Sequence, residues 1–272
     1  MSFITKYQQK YSYSLVLLAR LIQTDFKLRY RGSALGYLWS VLKPLAIFVV
    51  LYFVFVKFLK MGNGIPHYAI YLLFGIVIWN YFMELTTGAI SSIVSKGDLI
   101  RKINFPKYVI VFASSASAFI NLIINFIIIF IFMIVFGADP SWWALLVVPL
   151  AVLEITILGL GIGLWISALF VKFRDIAYIW EVVSQAAFYA TPILYPLSIV
   201  PEKAQKLLIL NPIAQSLQMA RHYLVTPVSK TISDVYPTRV WVWFMPLVLT
   251  LVIFLVGAIY FRNNSKYFAE EV

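Results

Sequence analysis

Tyr108–Phe136 reads YVIVFASSASAFINLIINFIIIFIFMIVF and carries no charged side chain. A helix crosses the hydrocarbon of a bilayer with about 20 mostly apolar residues, so this run can span and also tilt. Its apolar residues are continuous and do not alternate at period two, which favours a helix over a barrel strand. Working outward, residues 35–59, 68–90, 142–170, 176–195 and 240–261 meet the same criterion. Of 272 residues, 62% are hydrophobic and only 12% charged, against about 25% charged in soluble domains. The sequence therefore predicts an all-α integral membrane protein of six transmembrane helices, with lipid absorbing the apolar surface.

Directly before that run lies SKGDLIRKINFPKYV, Ser95–Val109, with Lys96, Asp98, Arg101, Lys102 and Lys107. Positive charge in short connections marks the cytoplasmic side. The first 34 residues (Lys6, Lys10, Arg20, Lys27, Arg29, Arg31), the 171–175 turn (Lys172, Arg174) and the tail (Arg262, Lys266) fall on the same side. Both termini are expected in the cytoplasm. Asp98 reads as an N-cap for a short helix over 99–104, and Pro106 forbids its simple continuation. Leu99, Ile100, Ile103 and Phe105 would supply apolar contacts. Such a segment either enforces topology or docks to a cytosolic protein.

Two stretches are neither span nor tight turn. Over 13–31, Leu15, Leu18, Ile22 and Phe26 share one helical face, opposite Arg20, Gln23, Lys27 and Arg31. That pattern predicts an amphipathic interface helix within residues 1–34. Between the fifth and sixth spans, 196–239 is long for a loop. LNPIAQSLQMARHYL within it looks helical after Pro212, and its apolar flanks suit re-entrant outer helices covered by protein or water. Residues 262–272 form a cytoplasmic tail.

Several chemistries lack their residues. No G-x-x-x-x-G-K-[ST] loop is present for ATP. His67 and His222 stand alone, so no metal site is expected, and there is no cysteine. The net charge of +11 points to anionic lipid or an anionic substrate, not nucleic acid, in a chain this apolar. Gly159–Gly163 (GLGIG) sits inside a span, where small residues let helices approach. Glu154, mid-span, either lines a polar route or makes an interhelical hydrogen bond. Lys43 either snorkels to the interface or faces an anion. Tyr71, Trp79, Phe188, Tyr189 and Tyr195 could stack on the apolar faces of sugars.

The order of motifs resembles one family. FKLRYRGSALGYLWSVLKPL (Phe26–Leu45), DLIRKINFPKYV, and LFVKFRDIAYIWEVVSQAAFYATPILYPLSIVP (Leu169–Pro201) followed by LNPIAQSLQMAR look like ABC-2 polysaccharide-export permeases. That family comprises the membrane subunits of O-antigen, capsule and teichoic-acid exporters. The resemblance implies a homodimer in the plasma membrane, with two copies of a cytosolic ABC ATPase that carries ATP and magnesium; this chain itself holds no cofactor. It implies that Asp98–Phe105 is the coupling helix, with Asp98, Leu99, Ile100, Arg101, Lys102, Ile103 and Phe105 at the ATPase. Arg29, Arg31 and Lys43 would meet the pyrophosphate of a lipid-linked glycopolymer. Tyr71, Trp79, Glu154, Phe188, Tyr189 and Tyr195 would line the path, with 196–239 as the outer gate. An ABC-2 exporter of drugs or small lipids, and a polyprenyl-phosphate-processing membrane enzyme, are the alternatives.

Overall fold

The computed structural model describes residues 15–25 and 35–272, the side chain of Tyr37 excepted. Residues 15–25 form helix α1. Helix α2 is Trp39–Leu51, which widens into a π-helical stretch over Tyr52–Phe58. The chain then runs through α3 (Tyr68–Ile90), α4 (Ser92–Ser95), α5 (Gly97–Lys102), α6 (Tyr108–Phe136), α7 (Ala144–Lys172) and α8 (Ile176–Ala190). Next come α9 (Glu202–Leu208), α10 (Pro212–Leu224), α11 (Ile232–Val235), α12 (Met245–Asn264) and α13 (Phe268–Glu271). No strand occurs among the described residues.

Five helices are long and apolar enough to cross a membrane: Trp39–Phe58, Tyr68–Ile90, Tyr108–Phe136, Ala144–Lys172 and Val240–Asn264. The expected span over 176–195 is helical only in its first 15 residues. At about 1.5 Å per residue α8 falls short of the hydrocarbon thickness. The residue before a proline is pushed out of the helical region, and Thr191, ahead of Pro192, is extended at ψ 136°. The chain turns over there instead of continuing.

Helix α3 is the hub. It is 78% buried along its apolar window, against 11% for the α2 span. α6, α7, α8 and α10 pack around α3, with α12 behind α7. The GLGIG run has two faces. An added Cβ on Gly159 would meet the Leu85 side chain at 2.7 Å, and on Gly163 the Ala89 Cβ at 2.9 Å, both on α3. A Cβ on Gly161 would meet the Phe254 Cα of α12 at 2.5 Å. Packing, not nucleotide binding, explains this run.

A second apolar cluster closes the end of the bundle that carries Lys96, Arg101, Lys102, Lys172 and Arg262, here called the basic end. Leu21 of α1, Ile93, Ile100, Phe105, Val171, Phe261 and Phe268 are buried together there. The tail is thus folded onto the body: Phe268 is buried edge-on to Phe261 at 5.3 Å, and Glu271 lies 3.7 Å from Lys172.

Candidate functional site

The short helix expected in the charged connection is present as α5. It begins earlier than predicted, at Gly97, with Lys96 in the N-cap position. Asp98 is therefore not the cap; it sits in the first turn, where a carboxylate faces the free N–H groups. Its Oδ1 is 3.4 Å from the Arg101 guanidinium. The helix is two-faced. Ile100 and Phe105 are buried, Leu99 and Ile103 half-buried. Asp98 and Arg101 keep 88% and 55% of their side chains exposed, and Lys102 is exposed as well. Lys107 lies 5.0 Å from the Phe105 ring centroid, and burial pulls its pKa below the ordinary lysine range. Lys96 donates to Asp25 of α1 at 2.5 Å. A Cβ on Gly97 would run into Val272 beside α13. α5 thus rests on both ends of the chain and offers its charged face outward.

At the opposite end, the turn after α8 is buried although its backbone is irregular. Thr191 and Ile193 are fully buried and Leu194 nearly so. Backbone carbonyls at that depth need donors. Arg221 of α10, itself 0% exposed, supplies them. Its Nη1 donates to Pro192 O at 2.7 Å and its Nη2 to Ile193 O at 2.7 Å. Nε and Nη2 also donate to Tyr71 O at 3.1 and 2.8 Å, and the guanidinium lies 3.5 Å from the Tyr71 ring centroid. Tyr68 donates its hydroxyl to Leu194 O at 2.6 Å. Asn211 donates to Thr191 Oγ1 at 3.2 Å, and its own Oδ1 caps α10 by accepting from Ile213 N at 3.0 Å.

The residues named as path-lining are dispersed in this chain. Tyr71 is enclosed, its hydroxyl donating to Gln218 at 3.0 Å. Trp79 is nearly buried and packs edge-on to Phe188 at 5.6 Å. Glu154 of α7 accepts from Ser216 of α10 at 2.6 Å, an interhelical hydrogen bond. Tyr195 donates to Tyr189 O at 3.1 Å. Tyr189 alone of the six is well exposed, at 64%. It shares an exposed stripe of α8 with Tyr178, Glu181, Val182 and Gln185. Carboxylate, carboxamide and phenol are poor groups for lipid contact, so this stripe suits water, polar substrate or a second copy. Trp180 ties the helix to α3 by donating to Thr86 at 3.2 Å.

Lys43 is exposed near the start of α2 and lines a cavity that also touches Glu84. Arg29 and Arg31 lie outside the described residues. Sequence reasoning missed Arg221, whose partners lie up to 150 positions away. It also missed the three cavity asparagines, Asn80, Asn121 and Asn125; intramembrane amides were the available signal, and only the carboxylates were weighed.

Residues 16–225 match the family described as ABC-2 type transporter. The chain is 31% identical over 217 residues to the O-antigen export system permease protein RfbA of Klebsiella pneumoniae, covering 80% of this chain and 82% of that protein. It is 30% identical to the RfbA of Myxococcus xanthus over 72% and 75% of the two chains. It is 20% identical to the polysialic acid transport protein KpsM of Escherichia coli over 76% and 80%.

Proposed function

Since the chain belongs to the ABC-2 type transporter family, we infer that it is the permease subunit of an ATP-driven exporter of a polyprenyl-pyrophosphate-linked polysaccharide or teichoic acid. Two copies form the conduit in the plasma membrane, with both termini cytoplasmic, and two copies of a cytosolic ABC ATPase bind below. The α8 helix and its buried turn together make the sixth crossing. Two relatives at 30% identity or more are named for O-antigen export and a more distant one for polysialic acid transport, which supports a glycan over a drug or small lipid.

The observation that carries this reading is α5. An amphipathic helix held by buried Ile100 and Phe105, with Asp98, Arg101 and Lys102 turned outward, fits a socket on a soluble partner. ATP binding closes the partner dimer and pushes on α5. The buried face carries that push into α1, α3, α6 and α7. Arg29, Arg31 and Lys43 meet the pyrophosphate at the cytoplasmic interface, where guanidinium forks suit phosphate oxygens. The glycan then slides past the α8 stripe, where weak stacking on Tyr178 and Tyr189 guides a polymer without stalling it. The region after α8 forms the outer gate.

The test is the triple charge reversal Asp98→Lys, Arg101→Glu, Lys102→Glu. Membrane insertion should be normal, while co-purification of the ATPase and ATP-dependent export are lost. Full export by the inserted variant would remove α5 from the coupling path.

A further inference from the structure

Between α2, α3 and α6 lies a cavity of about 280 Å³. It is lined by Trp39, Ser40 and Lys43 of α2, by Thr87, Glu84 and Asn80 of α3 and by Asn121 and Asn125 of α6, with Thr87 toward the basic end and the start of α2 level with Asn125. Asn80 is near the middle of its span. It is half-buried and lines the cavity, and its carboxamide makes no hydrogen bond among the described residues. The other amides hold the wall in shape. Asn121 donates to Glu84 Oε2 at 2.8 Å. Asn125 donates to Asn121 O at 2.8 Å and to Ser40 O at 3.2 Å.

We propose that this cavity binds a single sugar ring, the one next to the pyrophosphate of the lipid-linked substrate. The assignment rests on the lipid-linked glycan reading above and deepens it. Three observations lead to it. The wall holds one ammonium, one carboxylate and three carboxamides, which suits a neutral, hydroxyl-rich ligand better than a bare phosphate. A carboxamide presents a donor and an acceptor in one plane and a carboxylate two acceptors, and both match adjacent hydroxyls. The volume lies just below the roughly 300–1,000 Å³ typical of small-molecule pockets, enough for one ring and too little for an oligosaccharide. Trp39 and Lys43 line the cavity as exposed residues. A ring seated against Asn80 and Glu84 would leave its phosphates beside Lys43, which lines the same cavity. The substrate would thus be sorted by its first sugar before the polymer is engaged.

The experiment uses the full chain in nanodiscs and two probes: farnesyl diphosphate, and farnesyl diphosphate bearing one glucose, galactose or N-acetylglucosamine. Wild type should bind at least one sugar-bearing probe about tenfold more tightly than the bare diphosphate. Asn80→Leu and Asn80→Ala should erase that difference and leave the affinity for farnesyl diphosphate unchanged. Lys43→Ala should weaken all probes equally. If no sugar adds affinity in wild type, or Asn80→Leu keeps the preference, the sugar site is overturned while the export reading stands. If phosphatidylglycerol or phosphatidylethanolamine displaces the sugar-bearing probe as well as it displaces the bare one, the cavity is a lipid headgroup site and the proposal is overturned. If neither probe binds, the lipid-pyrophosphate reading itself fails.

Discussion

Arg221 bears the most local responsibility of any side chain here. A fully buried guanidinium is costly to desolvate, and no carboxylate offsets it among its hydrogen-bond partners. Backbone carbonyls and the Tyr71 face do so instead. Arg221→Leu should leave Pro192 O and Ile193 O without donors, at about 1–3 kcal/mol each. Thermal unfolding in detergent should move down by several degrees, and protease should cut near residues 191–195. Arg221→Lys keeps the charge but cannot fork across three carbonyls, so it should recover only part of the loss. Gly75 belongs to the same unit, because a Cβ there would run into the Arg221 guanidinium. Unchanged unfolding for Arg221→Leu would show that the turn holds itself.

Among the elements, α5 and its supports form the most specific arrangement. α5 is six residues long and too short to be stable alone. Its order comes from Ile100 in the apolar cluster, from Lys96 on Asp25, and from the tail packed against Gly97. Phe268→Ala should therefore loosen α5 without touching its exposed charges. A large-to-small change at a buried phenylalanine costs about 3–5 kcal/mol. The expected result is normal insertion, faster amide exchange over residues 97–102, and weakened coupling of ATP hydrolysis to export. Exchange identical to wild type would make the tail irrelevant to α5. The sequence made α5 visible through its charge and its proline. Asp98 is a good cap in isolation, whereas tertiary contacts at Gly97 set the boundary two residues earlier. The tail carries no such signal: its four residues of helix are held by packing against distant elements and by Glu271 on Lys172.

For the molecule as a whole, the spans flanked by strong breakers were legible. α6 ends at Gly137, which takes the left-handed φ of 64°, and α3 starts after His67 at φ 55°; both helices match their apolar runs. Over 176–195, TPIL is apolar enough to continue a helix by hydropathy, while its proline ends the helix at Ala190 by geometry. The candidate path was the least legible part, since aromatic residues look alike in sequence whether they pack inward, like Tyr71, or outward, like Tyr189. At this scale the glycine run carries a prediction. Gly161→Leu should force α12 off α7 and reduce the yield of folded protein severalfold, read by size-exclusion chromatography. Gly88→Ala, whose Cβ would meet only Ser114 at 3.9 Å, should fold like wild type. The same glycine run has a mechanical consequence. With α3 and α12 pressed onto opposite sides of α7, those three helices move as one block. α8 is pinned at its far end by Arg221 and Tyr68 and touches that block along only one narrow face. A shift of α8 against that block must therefore release Trp180 from Thr86 near one end or the Arg221 and Tyr68 bonds just past the other, so the helix is fastened at both ends like a plank on two brackets.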